Sequence, residues 1–207
     1  MKIIGGNARG RTIRLPAGCR IRPTSDRIKK SLFDILNPVE GKTFLDLFAG
    51  SGNVGLEAIS RGARFVFFVE RDRRLTDVIR TNLIRFECRE RAEVIENDVE
   101  RGLAVLRQRG VHTDIVFADP PYNHGWVSSL FQWMNRGDLL TPNGIMIVQH
   151  SKRESPEETD IGQISEIDRR TYGDTVLSFF RATDSYTSSN KTEERFYEED
   201  CSVSGII

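Results

Sequence analysis

The chain of 207 residues contains few of the residues that build disulfide frameworks and metal centres. It has three cysteines, Cys19, Cys88 and Cys201, with no CxxC pair, and three histidines that are scattered along the sequence. An odd and widely spaced set of cysteines predicts neither a disulfide framework nor a zinc site, and it is typical of a reducing compartment. We therefore expect no metal cofactor.

Long hydrophobic runs are also missing. Met1 is followed by basic and Gly-rich residues rather than by an apolar signal region, and no run approaches the length that spans a membrane. These features favour a soluble, cytoplasmic protein with no membrane partner. At this length we expect one domain with an appendage and a sizeable buried core.

The chain has a formal net charge of zero, with 30 basic and 30 acidic residues, but these charges are unevenly distributed along the sequence. Residues 153–207 carry thirteen acidic and six basic side chains. Residues 1–30 carry one acid, Asp26, and nine basic side chains: Lys2, Arg9, Arg11, Arg14, Arg20, Arg22, Arg27, Lys29 and Lys30. A basic segment on a neutral body is typical of a nucleic-acid-binding protein, although an Arg-rich surface can also be merely solvated.

From residue 43 the sequence alternates short apolar runs with amphipathic segments. Strands are predicted at 44–48, 65–69, 92–95, 114–118 and 145–149, with helices at 53–61, 73–86, 100–107 and 126–135. Two more strands, 164–172 and 175–181, flank a tight Gly-Asp turn and predict an antiparallel hairpin. The pattern predicts an α/β fold: a Rossmann-like, doubly wound, mostly parallel seven-stranded sheet closed by that hairpin.

Three regions are expected along the chain. Residues 1–40 form a small basic extension with a hairpin over 1–22 and a helix that Thr24 or Ser25 caps and that runs to about Leu36. Residues 41–182 form the main domain. Residues 183–207 are a polar tail, rich in Ser, Thr and Glu, that we expect to be disordered.

A glycine-rich turn after the first strand of the main domain predicts a nucleotide pocket. Gly50, Gly52 and Gly55 form a GxGxxG pattern, and Glu70 ends the next strand, where an acid can bind a ribose diol. This pattern fits an NAD-dependent oxidoreductase almost as well as a methyltransferase. Asp46 favours a cationic ligand such as a sulfonium, because its carboxylate would repel a pyrophosphate.

A second polar pair, Asn97-Asp98, follows the third strand and suits an adenine amino group. Helix capping is the alternative role for Asp46 and Asp98. Four successive strands thus end in an acid, at the edge where open α/β sheets bind ligands: Asp46, Glu70, Asp98 and Asp119.

The sequence Asp119-Pro120-Pro121-Tyr122 directly follows a buried apolar run and suits the exocyclic amino group of a nucleobase. Asp119 can accept one N–H and the Pro120 carbonyl the other, which exposes the nitrogen lone pair. The prolines stiffen these acceptors, and Tyr122 can stack on the base. A Pro-rich turn without chemistry is the alternative. The predicted reaction is methyl transfer to nitrogen, with no metal and no covalent enzyme intermediate.

Six segments spread over residues 3–181 resemble a known family: IIGGNARGRTI, RPTSDRIKKSLFDIL, FLDLFAGSGNVGLEAISRGA, FVE, DIVFADPPY and YGDTVLSFFR. They resemble the bacterial S-adenosylmethionine-dependent methyltransferases that modify guanine N2 in 16S ribosomal RNA. The glycine and DPPY motifs occur in many amino-methyltransferases, whereas RPTSDR followed by LFDIL is far more specific to this family.

The resemblance implies a class I methyltransferase that uses S-adenosylmethionine and releases S-adenosylhomocysteine. It implies a base pocket at 119–122, and it implies these cofactor-binding residues: Asp46, Ala49, Gly50, Gly52, Glu70 and Asp98. It also implies an assembled or partly assembled small ribosomal subunit as the partner, and we expect a monomer. From the basic segment we expect these substrate contacts: Arg9, Arg11, Arg22, Thr24 and Arg27.

Three alternatives remain open. A methyltransferase for DNA adenine or protein glutamine shares DPPY, an NAD-dependent oxidoreductase shares the glycine turn, and a non-catalytic RNA-binding module would explain the basic segment. The last of these leaves four strand-end acids without a purpose, since they would repel phosphate.

Overall fold

A computed structural model describes residues 1–15, 24–122, 124–137, 139–156 and 164–182. Arg22 and the tail over 183–207, for which we predict an RNA contact and disorder respectively, lie outside these ranges. The elements are α1 (Asp26–Ile35), β1 (Thr43–Leu47), α2 (Asn53–Ser60), β2 (Phe65–Glu70), α3 (Arg73–Arg85), a 3-10 helix (Arg89–Arg91), β3 (Ala92–Glu96), α4 (Val99–Gln108), β4 (Thr113–Ala118), α5 (Trp126–Met134), β5 (Leu140–Ser151), β6 (Ile164–Tyr172) and β7 (Thr175–Ala182).

The strands form one sheet in the order β3-β2-β1-β4-β5-β7-β6. The first five are parallel, and β7 runs antiparallel to both of its neighbours. The predicted fold class is therefore confirmed, including the closing hairpin. Strand order reverses between β1 and β4, which makes a topological switch point at their carboxyl ends.

Strand β5 differs from its prediction at its start. It begins at Leu140 rather than Ile145, because Leu140 pairs with Thr113 across an irregular stretch of the β4–β5 ladder. Within that stretch Asn143 adopts a φ of 65°. Pro-Asn-Gly at 142–144 has the composition of a turn, so local sequence hides the pairing that precedes it.

Alternating side chains of the central strands divide the core into two clusters on opposite faces of the sheet. Phe44 and Phe68 pack with apolar residues of α1, α2 and α3. Leu45 and Val69 pack on the other face, with residues of α4 and α5. Apolar side chains on both faces of a strand are the reason why its sequence is a continuous apolar run.

The N-terminal segment joins the same core. Lys2 and Thr12 form an antiparallel bridge, and Ile3 and Ile13 are buried in the cluster that contains α1 and α2. Ser25 is the N-cap of α1, where its hydroxyl accepts from the backbone N–H of Ile28 at 3.3 Å. The hairpin predicted over 1–22 is described only to residue 15, and the domain division at residue 40 stays a prediction.

A buried ion pair connects this segment to the helix after the glycine turn. Nζ of Lys29 lies 3.2 Å from Oε2 of Glu57, and both side chains are fully buried. Nζ also donates to the carbonyl oxygen of Lys2 at 2.6 Å and to Oδ1 of Asn53 at 2.9 Å. The backbone N–H of Ile4 donates to Glu57 at 2.8 Å. Lys29 is therefore an internal link and adds no charge to the basic surface.

None of the helices in the described ranges has the length and apolarity needed to cross a bilayer.

Candidate active site

A cavity of about 1110 Å³ opens at the carboxyl ends of the parallel strands. It is lined by the loops that follow β2, β3 and β4, together with residues at the start of α1 and in β5. Open α/β sheets bind ligands at this edge, beside the switch point. The volume is slightly above the roughly 300–1,000 Å³ of most small-molecule sites.

The glycine turn lies behind the cavity wall and supports it, because the N–H of Gly50 holds Glu70. Gly50 and Gly52 have φ values of 55° and 74°, in the left-handed region that glycine adopts without steric cost. At Gly55 an added Cβ would lie 2.2 Å from a ring carbon of Phe68. These positions therefore require glycine, because the turn must be tight and α2 must pack closely on β2.

Glu70 ends β2 on the cavity wall, and its carboxylate is held by two backbone donors. Oε2 accepts from the N–H of Gly50 and Oε1 from the N–H of Asp72, each at 2.8 Å. A carboxylate oxygen has a second lone pair, so both oxygens can still accept from a ligand. This arrangement fits the diol of a ribose, which offers two hydroxyl donors.

Asp98 lies on the cavity wall and is also the N-cap of α4. Its Oδ1 accepts from the backbone N–H of Arg101 at 2.9 Å. The capping role that we weighed as an alternative is therefore present, and Asn97 beside it also lines the cavity. Capping fixes the position of this carboxylate relative to the wall.

Asp46 is buried beneath the wall, with 2% of its surface exposed. Its Oδ2 accepts from the backbone N–H of Gly55 at 2.8 Å. Burial raises the pKa of the Asp46 carboxyl well above its usual range, and the nearby carboxylates of Asp119 and Glu70 raise it further, whereas the N–H of Gly55 opposes the shift. Four predicted cofactor residues are not among the described residues that line the cavity: Asp46, Ala49, Gly50 and Gly52.

The four residues 119–122 and Thr24 also line the cavity. The segment 119–122 follows β4, which lies on the other side of β1 from β2 and Glu70. The hydroxyl of Thr24 donates to Oδ2 of Asp119 at 3.3 Å, so the start of α1 touches the predicted catalytic carboxylate. The hydroxyl of Tyr122 accepts from Nε2 of Gln149 at 3.2 Å. The structure thus places Glu70, Asp98 and the DPPY segment around one cavity.

Among the lining residues that sequence reasoning missed are Phe48, Trp126 and Gln149. The Phe48 and Trp126 rings meet edge to face at 6.1 Å, and Phe48 has a φ of 55°, which is uncommon for a bulky residue. Nothing local predicts that pair. Gln149 had a signal, because it follows the apolar run 145–148 as Glu70 and Asp119 follow theirs.

The three predicted arginine contacts that the structure describes are not among the residues that line the cavity. Arg9, Arg11 and Arg27 are exposed. The Arg11 guanidinium lies over the ring of Phe86 at 5.6 Å, at the end of α3, and that of Arg27 lies 5.9 Å from the ring centre of Tyr172. Their role in RNA binding stays a prediction.

Within the described ranges, no three or more His, Cys, Asp and Glu side chains are grouped so that they could hold a metal ion.

Comparisons with known proteins match most of this chain to methyltransferases or to one family. A family described as conserved hypothetical protein 95 matches residues 1–181. "Putative rRNA methyltransferase YlbH" from Bacillus subtilis is 34% identical over 182 residues, covering 87% of this chain and 98% of that protein. "Ribosomal RNA small subunit methyltransferase D" from Haemophilus influenzae is 36% identical over 154 residues, covering 73% of this chain and 79% of that protein.

A solved structure shares the architecture. "Putative methyltransferase yhhF from Escherichia coli" superposes with a TM-score of 0.78 at 28% identity, covering 88% of this chain and 98% of that chain. The fold is the class I methyltransferase fold, as the sequence predicts.

Proposed function

Because the chain belongs to the conserved hypothetical protein 95 family, with ribosomal RNA small subunit methyltransferase D among its relatives, we propose that it methylates RNA of the small ribosomal subunit. The proposed reaction transfers a methyl group from S-adenosylmethionine to the exocyclic N2 amino group of a guanine in 16S ribosomal RNA. One observation carries the proposal: a single cavity is lined both by Glu70 and by the segment 119–122.

Glu70 and Asp98 are the residues proposed to hold the cofactor. Glu70 accepts from the ribose hydroxyls, and Asp98 with Asn97 accepts from the adenine amino group. Both carboxylates are already fixed by backbone N–H groups, so little side-chain ordering is needed on binding. The bound cofactor supplies an electrophilic methyl group.

Asp119 is proposed to bind the target amine. Its carboxylate accepts one N–H of the guanine N2 group, the Pro120 carbonyl accepts the other, and Asp119 takes up the proton that the nitrogen releases. Thr24 orients this carboxylate through the contact at 3.3 Å. Orienting two reactants can contribute about 7–11 kcal/mol to lowering a barrier.

Tyr122 is proposed to stack on the extruded guanine. Stacking on an aromatic side chain contributes roughly 1–3 kcal/mol per base, which is comparable to the few kcal/mol that extrusion costs. The hydrogen bond from Gln149 fixes the hydroxyl end of the ring. The side chain is therefore preorganised as a platform.

The exposed arginines of the N-terminal segment are proposed to bind the phosphates of the assembled or partly assembled subunit. Arg11 packs against Phe86 at the end of α3, and Arg27 lies on α1. Both helices cover the same face of the sheet, so both arginines place charge on that side of the protein. We propose that the protein acts as a monomer in the cytoplasm, where ribosomal subunits assemble.

The test is nucleotide mapping of 16S ribosomal RNA from cells that lack the protein. Mass mapping should show the loss of one N2-methylguanosine, and the wild-type protein should restore it, whereas Asp119→Ala should not. Identical modification with and without the protein would contradict the proposal. Methyl transfer from labelled S-adenosylmethionine to DNA or to protein glutamine, or binding of NADH alone, would select the alternatives.

A further inference from the structure

The cavity contains a buried acceptor that the proposed reaction does not use. Gln149 lines the cavity and has 5% of its surface exposed. Its Nε2 donates to the hydroxyl of Tyr122, but no group in the described ranges donates to its Oε1. Buried polar atoms without a partner are few in native proteins, and each calls for an explanation such as a ligand.

The sheet register places this amide beside the proposed catalytic carboxylate. Ala118 of β4 pairs with Val148 of β5, so the next residues lie at the same level: Asp119 just past the end of β4, and Gln149 still within β5. Tyr122 contacts Gln149 directly. Two side-chain acceptors and one aromatic ring therefore flank the same part of the cavity.

Two neighbouring acceptors match a base that presents two neighbouring donors. In guanine the ring nitrogen beside the 2-amino group carries a hydrogen, so N1–H and N2–H form such a pair. In adenine and cytosine the ring nitrogen beside the amino group carries a lone pair instead. An acceptor next to Asp119 therefore attracts guanine and repels the other two bases that carry amino groups.

We propose that Gln149 is the residue that selects guanine, with Oε1 accepting from N1–H while Asp119 accepts from the N2 amino group. The proposal rests on the function proposed above. The terminal torsion of a glutamine side chain is broad, so the amide can turn Oε1 toward an entering base. Selection among the bases that carry an amino group follows because adenine or cytosine would present a ring-nitrogen lone pair to this buried acceptor.

The experiment compares two substrates that differ at the mapped guanine. Unmodified small subunits are reconstituted either with guanine or with 2-aminopurine, which keeps the 2-amino group but has a lone pair at N1. kcat/KM is measured on both for the wild type, for Gln149→Met and for Tyr122→Phe. The ratio of the two values isolates the contribution of residue 149, because other differences between the bases cancel across variants.

The wild type should prefer guanine about tenfold or more. Gln149→Met should lower kcat/KM on guanine by about the same factor and change it little on 2-aminopurine, so that the preference approaches one. Tyr122→Phe, which removes only the hydroxyl that Gln149 contacts, should keep the preference. Affinity for S-adenosylmethionine and Tm should match the wild type in both variants, which shows that the fold is intact.

Two results would overturn the inference while the proposed function stands: an unchanged preference in Gln149→Met, or an equal loss of preference in Tyr122→Phe. The second would mean that Gln149 only holds the tyrosine. If the wild type transfers no methyl group to guanine in unmodified subunits, the proposed function and the inference both fall.

Discussion

The two ends of the cavity are held together by contacts of different range. At the proposed cofactor end, Glu70 accepts from Asp72 and Asp98 from Arg101, two and three residues away, and Glu70 also accepts from Gly50, 20 residues away. At the proposed base end, Asp119 is bound from 95 residues away by Thr24, and Tyr122 from 27 residues away by Gln149. The cofactor end is thus held mostly by short-range contacts, whereas the base end depends on contacts between distant parts of the chain.

The largest expected effect is at the base end. Asp119→Ala should lower kcat by about 10²–10³-fold, because one preorganised group at the reacting nitrogen is lost. Affinity for S-adenosylmethionine, measured by titration calorimetry, should stay within a few-fold of the wild type. Asp119→Asn keeps one acceptor and should be less impaired. If affinity for S-adenosylmethionine fell as much as kcat, Asp119 would belong to the cofactor end, and the two ends would not be functionally distinct.

Glu70 tests the other end. Glu70→Ala should weaken binding of S-adenosylmethionine by about 10–100-fold, since hydrogen bonds to a charged group contribute roughly 1.5–3 kcal/mol. Glu96→Ala is the matched control: Glu96 ends β3 in register with Glu70, but it pairs with Arg80 and does not line the cavity among the described residues. Equal affinities of the two variants would remove Glu70 from the cofactor site.

Tyr122 tests whether the base end works by stacking. Tyr122→Ala should lower kcat/KM by about 5–100-fold, which corresponds to roughly 1–3 kcal/mol of stacking. Tyr122→Phe should retain more activity than Tyr122→Ala, because stacking needs the ring and not the hydroxyl. Single-turnover assays on unmodified subunits would measure both. Indistinguishable rates for Ala and Phe would mean that Tyr122 does not stack.

Within the basic segment, Arg9 and Arg11 should act on RNA binding alone, whereas Arg22 and Arg27 should also affect turnover. Changing Arg9 and Arg11 together to Ala should weaken subunit binding and flatten its dependence on salt by up to about two units, one for each lost phosphate contact. The control pair is Arg109 and Arg136, which already bind Glu93 and Glu100. If the Arg9/Arg11 variant keeps the wild-type slope, these arginines only solvate the surface.

The smallest effect concerns Asp46, which lies below both ends. Its pKa is raised in the folded state, mainly by burial, so its contribution to the free energy of unfolding falls as pH rises from its ordinary pKa through the raised value. Asp46→Asn keeps an acceptor for Gly55 and cannot ionise. Its Tm should therefore rise relative to the wild type on going from pH 5 to pH 8. A difference in Tm that is constant with pH would contradict the cause assigned to the shift.

The difference between short-range and long-range contacts also explains which parts of the site could be predicted from the sequence. Glu70, Asp98 and Asp119 each follow an apolar run, and parallel strands bring such positions to one edge, so their gathering around a cavity could be foreseen. The Thr24–Asp119 and Tyr122–Gln149 contacts could not, because neither leaves a pattern at short spacing. The sequence predicts Asp46 as a residue of the pocket wall, but nothing local predicts that its carboxylate is buried against the N–H of Gly55 in α2.

The element boundaries follow the same logic. Helices with a capping residue, such as α1 after Ser25, began where the sequence placed them to within a residue. The early start of β5 could not be predicted, since Leu140 is recruited by Thr113 on a neighbouring strand in spite of the turn-like residues between. Pairing with distant strands overrides local preference.

The buried Lys29–Glu57 pair limits how this protein can be divided. A chain shortened to remove the first fifteen residues would lose the carbonyl of Lys2 and the N–H of Ile4, which leaves both charges short of partners inside the core. Leaving a buried polar group without a hydrogen-bond partner typically costs about 1–3 kcal/mol, and more for a charged group, which is a large share of the stability of a domain this size. The basic N-terminal segment, which we propose binds RNA, is therefore not a detachable module. To exchange this segment for that of another enzyme, one would have to exchange α1 and α2 with it, because Lys29 lies on α1 and Glu57 on α2.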